Sequence, residues 1–245
     1  VSFGDDPLRM LRAARFVSQL QFAVSDRVRA AITAMAPQLG RITVERVAVE
    51  LDKMLLGADP VAGIDLMVQT GLGEVVLPEI GGMQMAIDEH HQHKDVYQHS
   101  LTVLRQAMAL EGDPDLVLRW AALLHDIGKP GTRRHESDGG VSFHHHEVVG
   151  AKMVRKRLRE LKYSKQMIDD VSQLVYLHLR FHGYGDGRWT DSAVRRYVAD
   201  AGPLLPRLHK LVRADCTTRN KRRAARLQAN YDDLEARIAE LAAKE

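Results

Sequence analysis

Apolar positions recur at helical spacing through most of the chain. Leu8, Leu11 and Phe16 mark a first helix that opens after Asp5-Asp6-Pro7, where acidic residues and a proline suit a helix N-terminus. Val28, Ile32 and Met35 stripe a second helix, from Ser25 to Leu39, with Ser25-Asp26 as its cap. Val47, Leu51 and Leu55 define one face of a third, capped by Thr43. Residues 60–72 read as a short helix ended by Gly71 and Gly73, and Val75 to Gly82 is a proline- and glycine-rich joint. A first boundary is expected between residues 80 and 95. Beyond it, one helical run starts one position before His99, another ends on Leu123-Leu124, a third is opened by His144-His145-His146-Glu147 and continues to Leu161, and a fourth extends from a Ser164 cap to His178. They restart at Thr190 or Asp191, and Leu204 to the end reads as helical throughout. Only Asp138-Gly139-Gly140 between short runs signals a hairpin. The pattern predicts an all-α chain: a helical neck or body segment, then a second helical domain, with one short β-hairpin near 132–143.

Composition narrows this picture modestly. The chain has 245 residues, 45% hydrophobic and 27% charged, which fits one large domain or two small ones. A net charge of +3 does not by itself imply nucleic acid. The sole cysteine, Cys216, excludes an internal disulfide and fits a reducing, cytoplasmic setting. No apolar run reaches membrane-spanning length and no signal peptide is visible, so no membrane partner is expected. The first residue is Val1 rather than Met, and a strong motif follows within a few residues. The expectation is a fragment whose N-terminal part is absent.

The densest chemistry lies where the apolar run Trp120–Leu124 stops on His125-Asp126, followed by Ile127-Gly128-Lys129-Pro130. Gly128, able to take a left-handed cap, and Pro130 are expected to end the helix. A buried carboxylate beside an imidazole is costly unless paired, and a divalent ion is the obvious partner. Adjacent helical side chains diverge by about 100°, so one ion must sit over the helix end to touch both. An ion pair without metal is the plain alternative for the dipeptide alone. Upstream His99, downstream His146 and His178, and late Asp215 add ligand types on further helical runs. His90, His91 and His93 crowd a polar loop without periodicity and read as solvated or as RNA contacts.

The order His99, His125-Asp126, His146, His178, Asp215 resembles the HD superfamily of metal-dependent phosphohydrolases, over residues 95–220. The resemblance implies that His99, His125, Asp126 and Asp215 hold a divalent ion, with His125 and Asp126 catalytic. His146 and His178 would complete a second site or bind substrate phosphate. His146 fits best because Glu147 and, four residues on, Gly150-Ala151 follow it; His144 and His145 rank lower. His178 ranks above His182, since Gly183 and Gly185 break the element. This nitrogen and oxygen set suits Mn, Ni, Co, Fe or Mg. Lys129, Arg133 and Arg134 are placed to steer a phosphate towards the ion.

Arg9, Arg12 and Arg15 recur every three residues on the first helix, a row of guanidinium forks suited to phosphates and base edges. A solvated face is the bland reading of such a row. The stretch from Asp5 to Phe16 is similar to the nucleotide-selecting motif of class II tRNA nucleotidyltransferases, the CCA-adding enzymes and their poly(A) polymerase relatives. That motif is Glu-Asp-x-x-Arg with further arginines three and six residues on; here Asp5 stands in place of Glu. The resemblance implies that Asp6 and Arg9 read the base edge of CTP or ATP and that Arg12 and Arg15 contact the nucleotide near its phosphates. Glu45, Arg46 and Glu50 resemble residues that brace this site. Nucleotidyl transfer in that family needs Mg, a Gly-Ser phosphate loop and an Asp-x-Asp pair. Neither the loop nor the pair is read in this chain, so the chain alone is expected not to add nucleotides.

The expected organisation is residues 1–85 as a nucleotide-selecting, RNA-binding neck, 86–220 as an HD domain, and 221–245 as a basic then amphipathic end helix. Arg219, Lys221, Arg222, Arg223 and Arg226 suit a tRNA backbone. The function this implies is part of a CCA-adding tRNA nucleotidyltransferase, with tRNA, CTP or ATP and a phosphoester as partners and a homodimer left open. HD domains in that setting are associated with phosphatase or 2′,3′-cyclic phosphodiesterase activity. The alternatives are a stand-alone HD phosphohydrolase and a non-catalytic RNA-binding module with a vestigial HD site.

Overall fold

The computed structural model describes residues 2–85, 95–184, 187 and 189–244. The histidine tract at 90–93, most of the expected boundary at 80–95, and Gly185 lie outside the described residues. The fold is all-α, with a single two-stranded antiparallel hairpin among the described residues.

The first segment comprises α1 (Leu8–Leu20), α2 (Asp26–Met35), α3 (Val44–Leu55), α4 (Pro60–Thr70), α5 (Leu72–Val76) and α6 (Pro78–Gly81). Asp6 Oδ1 accepts from Leu8 N at 3.3 Å and steadies the entry to α1. Ser25 caps α2 by accepting from Val28 N. The second helix is shorter than its apolar stripe suggests. Pro37 cannot donate a backbone hydrogen bond, and residues 36–41 tighten into a 3-10 turn. Thr43 precedes α3 but makes no side-chain capping bond. Gly71 ends α4 in the left-handed conformation, φ 83°. The glycine-rich joint coils into the two short helices α5 and α6.

The second segment begins with α7 (Val96–Leu110) and α8 (Leu116–Leu124), then α9 (Lys129–Thr132) and the hairpin β1 (Arg134–His135) and β2 (Val141–Ser142). Arg134 pairs with Ser142 and His135 with Val141. There follow α10 (His146–Glu160), α11 (Lys165–Leu177), α12 (Asp191–Ala201), α13 (Leu205–Asp215) and α14 (Lys221–Ala242). Thr190 caps α12 through Ala193 N. The end of the chain is not one continuous helix, as its pattern suggested. It breaks after Asp215, and Asn220 caps α14 by accepting from Arg223 N.

Apolar residues of both segments merge into one core, with Trp120 of α8 1% exposed at its middle. Tyr163, on the turn between α10 and α11, packs edge-on to Trp120 and donates to Asp52 Oδ1 of α3 at 2.5 Å. Burial pushes the Asp52 carboxyl up, and the Tyr163 hydrogen bond works against that rise. Arg119 is buried on α8. It donates from Nη1 to the carbonyls of Leu55 and Gly57, both at 2.8 Å, and pairs with Glu111. Arg157 of α10 reaches Glu79 at 2.8 Å. Arg119 of the second segment thus satisfies the carbonyl of the last residue of α3, Leu55, and that of Gly57 just beyond it, as a buried helix end requires.

Candidate metal centre

Helix α8 carries the paired residues to its buried C-terminus. His125 takes the capping position and is fully buried, and Asp126 is 1% exposed. His99 comes from the first turn of α7, His146 opens α10, His178 ends α11 and Asp215 ends α13. All six residues named from the sequence converge on one place, in two triads: His99 with His125 and Asp215, and Asp126 with His146 and His178. Within each triad the prospective ligand atoms lie within 4.8 Å of one another. His144 and His145, the lower-ranked neighbours, have side chains 71% and 83% exposed and lie near Glu136 and Glu147 instead.

Asp126 sits between the triads. Its Oδ2 lies 3.2 Å from His125 Nε2, 3.4 Å from His99 Nε2 and 2.6 Å from Lys129 Nζ. Its Oδ1 lies 3.1 Å from His146 Nε2 and 3.7 Å from His178 Nε2. Asp215 Oδ1 lies 2.9 Å from His99 Nε2 and 3.4 Å from His125 Nε2.

Backbone carbonyls orient the rings. The Nδ1 atoms of His125, His146 and His178 face the carbonyls of Ala122, Phe143 and Val175 at 2.8, 2.8 and 2.6 Å. A carbonyl only accepts, so each Nδ1 carries the hydrogen and each Nε2 is turned inward. This is the outer-shell arrangement that fixes the tautomer of ligating imidazoles. Nε2 of His146 and of His178 are buried without a hydrogen-bond partner among the described residues. In a neutral ring such an atom points a lone pair at the lone pairs of Asp126, an arrangement a cation between them relieves. The donors therefore fit a divalent ion.

The charges of the protein alone point the same way. Burial opposes a charge on His125, but Asp126 and Asp215 outweigh it and push its pKa up to about 10. Burial likewise opposes the Asp126 and Asp215 carboxylates, and His125 holds both well below the usual range. Burial pushes His178 down, leaving its ring neutral.

Gly128 differs from its expected role. Its φ is −79°, not left-handed, and α9 follows at once with Pro130 inside it. A Cβ on Gly128 would lie 2.2 Å from the His146 carbonyl and 2.7 Å from Gly150 N. Glycine is needed there because the start of α10, bearing His146, packs directly against the chain that follows Asp126. Thr217, which the sequence did not single out, places Oγ1 3.2 Å from His99 Nδ1. An Asp-x-Asp spacing does occur, at Asp113 and Asp115, which corrects the reading of the sequence. Asp115 caps α8 and pairs with Arg207 at 2.7 Å, a structural role.

The arginine row lies on α1. Glu50 of α3 is 3% exposed and holds Arg12 at 3.4 Å and Arg15 at 2.9 Å. Arg46 reaches Asp6 at 3.5 Å, whereas Glu45 turns to Lys162. Arg9 donates to the Ser2 carbonyl at 3.3 Å.

Four histidines and two aspartates thus meet at one helix-lined corner. Residues 96–243 match the HD domain family, and the chain belongs to that family. Residues 21–83 match a second family, described as the probable RNA and SrmB-binding site of polymerase A. The chain is 37% identical over 216 residues to an A-adding tRNA nucleotidyltransferase of Deinococcus radiodurans, covering 86% of this chain and 49% of the relative. It is 31% identical over 239 residues to a CC-adding tRNA nucleotidyltransferase of Thermus thermophilus, covering 94% and 54%. A multifunctional CCA protein of Legionella pneumophila is 32% identical over 188 residues, covering 74% and 45%. The chain thus spans about half the length of these relatives. Among solved structures, the Bacillus stearothermophilus CCA-adding enzyme in complex with CTP shares the fold, with a TM-score of 0.60 at 22% identity over 98% of this chain and 48% of that one. No helix among the described residues is long and apolar enough to cross a membrane.

Proposed function

We propose that this chain is the nucleotide-selecting and tRNA-binding part of a CCA- or A-adding tRNA nucleotidyltransferase, and that it carries a metal-dependent phosphoesterase. Residues 1–85 form the selecting neck, 86–220 the HD domain, and 221–245 a basic end helix, working in the cytoplasm. The observation that carries the hydrolase reading is the convergence of His99, His125, Asp126, His146, His178 and Asp215 with their Nε2 atoms turned inward.

His99, His125 and Asp215 would hold one divalent ion, and His146 and His178 a second, with Asp126 offering one oxygen to each. Mn, Ni, Co, Fe or Mg suits such donors. When bound, the metal neutralises phosphoryl charge and lowers the pKa of water. Lys129, against Asp126 Oδ2, orients that carboxylate and adds positive charge where an anionic substrate approaches. In hydrolysis, a water oxygen bonds to phosphorus, the ester P–O bond breaks, and the departing oxygen takes a proton.

At the other site, Asp6 and Arg9 read the base edge of CTP or ATP, and Arg12 and Arg15 meet its phosphates. Glu50 supports this reading, because a buried carboxylate holding two guanidinium groups presets their remaining donors. This 245-residue chain by itself does not transfer nucleotides; CTP incorporation into tRNA by it alone would overturn that statement.

Metal content tests the hydrolase. The chain purified without chelator should carry transition metal, and the H125A/D126A variant should not. Equal, negligible metal in both would leave only the RNA-binding module.

A further inference from the structure

The metal centre shares one residue with a cavity of about 330 Å³ between α13 and α14. That size lies at the lower end of the roughly 300–1,000 Å³ usual for small-molecule sites. Asp215 lines it from the end of α13, and Arg223 and Arg226 line it from the start of α14. The rings of Phe181 and Tyr231, with centroids 3.8 Å apart, add an apolar surface. Arg213 also lines the cavity but is committed elsewhere: it donates to Gln228 at 2.8 Å and to Asp232 and Glu235 at 2.7 Å. Neither the Arg223 nor the Arg226 guanidinium has a hydrogen-bonded or ionic partner among the described residues. Lys221, Arg222 and Arg223 crowd the first turn of α14, where no acidic residue stands. Cations there oppose the helix dipole, a cost that an anion in the cavity relieves.

We propose that the substrate of the HD centre carries two phosphate groups, and that Arg223 and Arg226 hold the one that is not hydrolysed. The proposal rests on the hydrolase reading above. The scissile phosphate already meets the metal corner and Lys129, so it does not call for two further free guanidinium groups across the cavity. A ribonucleotide unit with two phosphates meets both requirements, its body lying against Phe181 and Tyr231. Two sources share this chemistry: a free nucleoside bisphosphate, and an RNA end with a terminal 3′-phosphate whose second phosphate is the last internucleotide link. Water is the sole co-reactant.

The test uses the full chain and its R223A/R226A variant. Four ligands are compared: p-nitrophenyl phosphate, adenosine 3′,5′-bisphosphate, a short oligoribonucleotide with a 3′-phosphate, and the same oligoribonucleotide with a 3′-hydroxyl. Calorimetry on chelator-treated protein reads binding, and KM on Mn²⁺-loaded protein reads turnover. At least one two-phosphate ligand should bind about tenfold or more tighter than p-nitrophenyl phosphate, and the variant should lose that preference, as expected when charge-assisted contacts are removed. The ligand that shows the dependence names the source. If both proteins bind the two-phosphate ligands equally, the proposal fails while hydrolysis can stand. If the hydroxyl-ended RNA binds as tightly with the same dependence, the arginines hold only backbone and the proposal also fails. No turnover of any phosphoester defeats the hydrolase reading instead, and the calorimetry still decides the subsite.

Discussion

Replacing Gly128 with alanine links packing directly to metal binding. The added Cβ would stand 2.2 Å from the His146 carbonyl oxygen. Carbon and oxygen atoms settle no closer than about 3.3 Å in even favourable contacts, so α10 must retreat by roughly 1 Å. Overpacking of this kind costs about 1–3 kcal/mol, which lowers Tm by roughly 2–4 °C per kcal/mol in a chain of this size. The retreating residue is the one whose Nε2 lies 3.1 Å from Asp126 Oδ1. Metal–ligand distances tolerate only about 0.2 Å, and disturbing ligand support typically costs about 10–100-fold in metal affinity. Metal per chain by mass spectrometry, with Tm measured beside it, reads both effects. G131A is the control: a Cβ there has nothing within 4 Å. A G128A protein that melts with the wild type and retains full metal would refute the packing argument.

Removing the Arg119 side chain, as in R119M, strips a buried carboxylate, Glu111, of its partner and frees two carbonyls. The expected loss is about 3–5 kcal/mol, visible as a Tm roughly 10 °C lower by calorimetry at 2–4 °C per kcal/mol; a shift under a few degrees would contradict it. Without metal, the raised pKa of His125 adds stability that is complete below its ordinary value of 6.5 and lost as pH rises through about 10. Chelator-treated protein should therefore lose Tm between pH 7 and 10, and D215N should flatten that fall. Removing the charges of Arg219, Lys221, Arg222, Arg223 and Arg226 should weaken tRNA binding. Its logarithmic salt slope should become shallower by up to about 0.9 for each phosphate no longer neutralised, measured by filter binding at several salt concentrations.

Much of the site was legible because its chemistry is written in residue types. A buried-looking run that halts on His125-Asp126, with further histidines opening or ending apolar helices, already carries the convergence. His146 was distinguishable from His144 and His145 by the Gly150-Ala151 that follows, where Gly150 lets α10 lie close to Ile127-Gly128 and to Val175 of α11; the structure buries the first and exposes the other two. What escaped the sequence depends on neighbours distant in the chain. Gly128 reads as a helix stop, yet its lack of a side chain serves a carbonyl eighteen residues away. The break after Asp215 falls on Cys216-Thr217-Thr218 and the capping Asn220, weak helix formers that pass unnoticed between two long helical runs, and the cavity it creates needs α14 to fold back. Thr43 looks like a cap, but nothing in its pattern reveals that its hydroxyl makes no capping bond.

The fork of Arg119 also bears on how this molecule can be dissected. A truncation starting at the HD match would keep that arginine while discarding Leu55 and Gly57, whose oxygens it grips, and would strip one side of Trp120 bare. Two units that sequence families treat as separable modules are soldered here at a helix end, so a saw-cut between them passes through a joint rather than a seam.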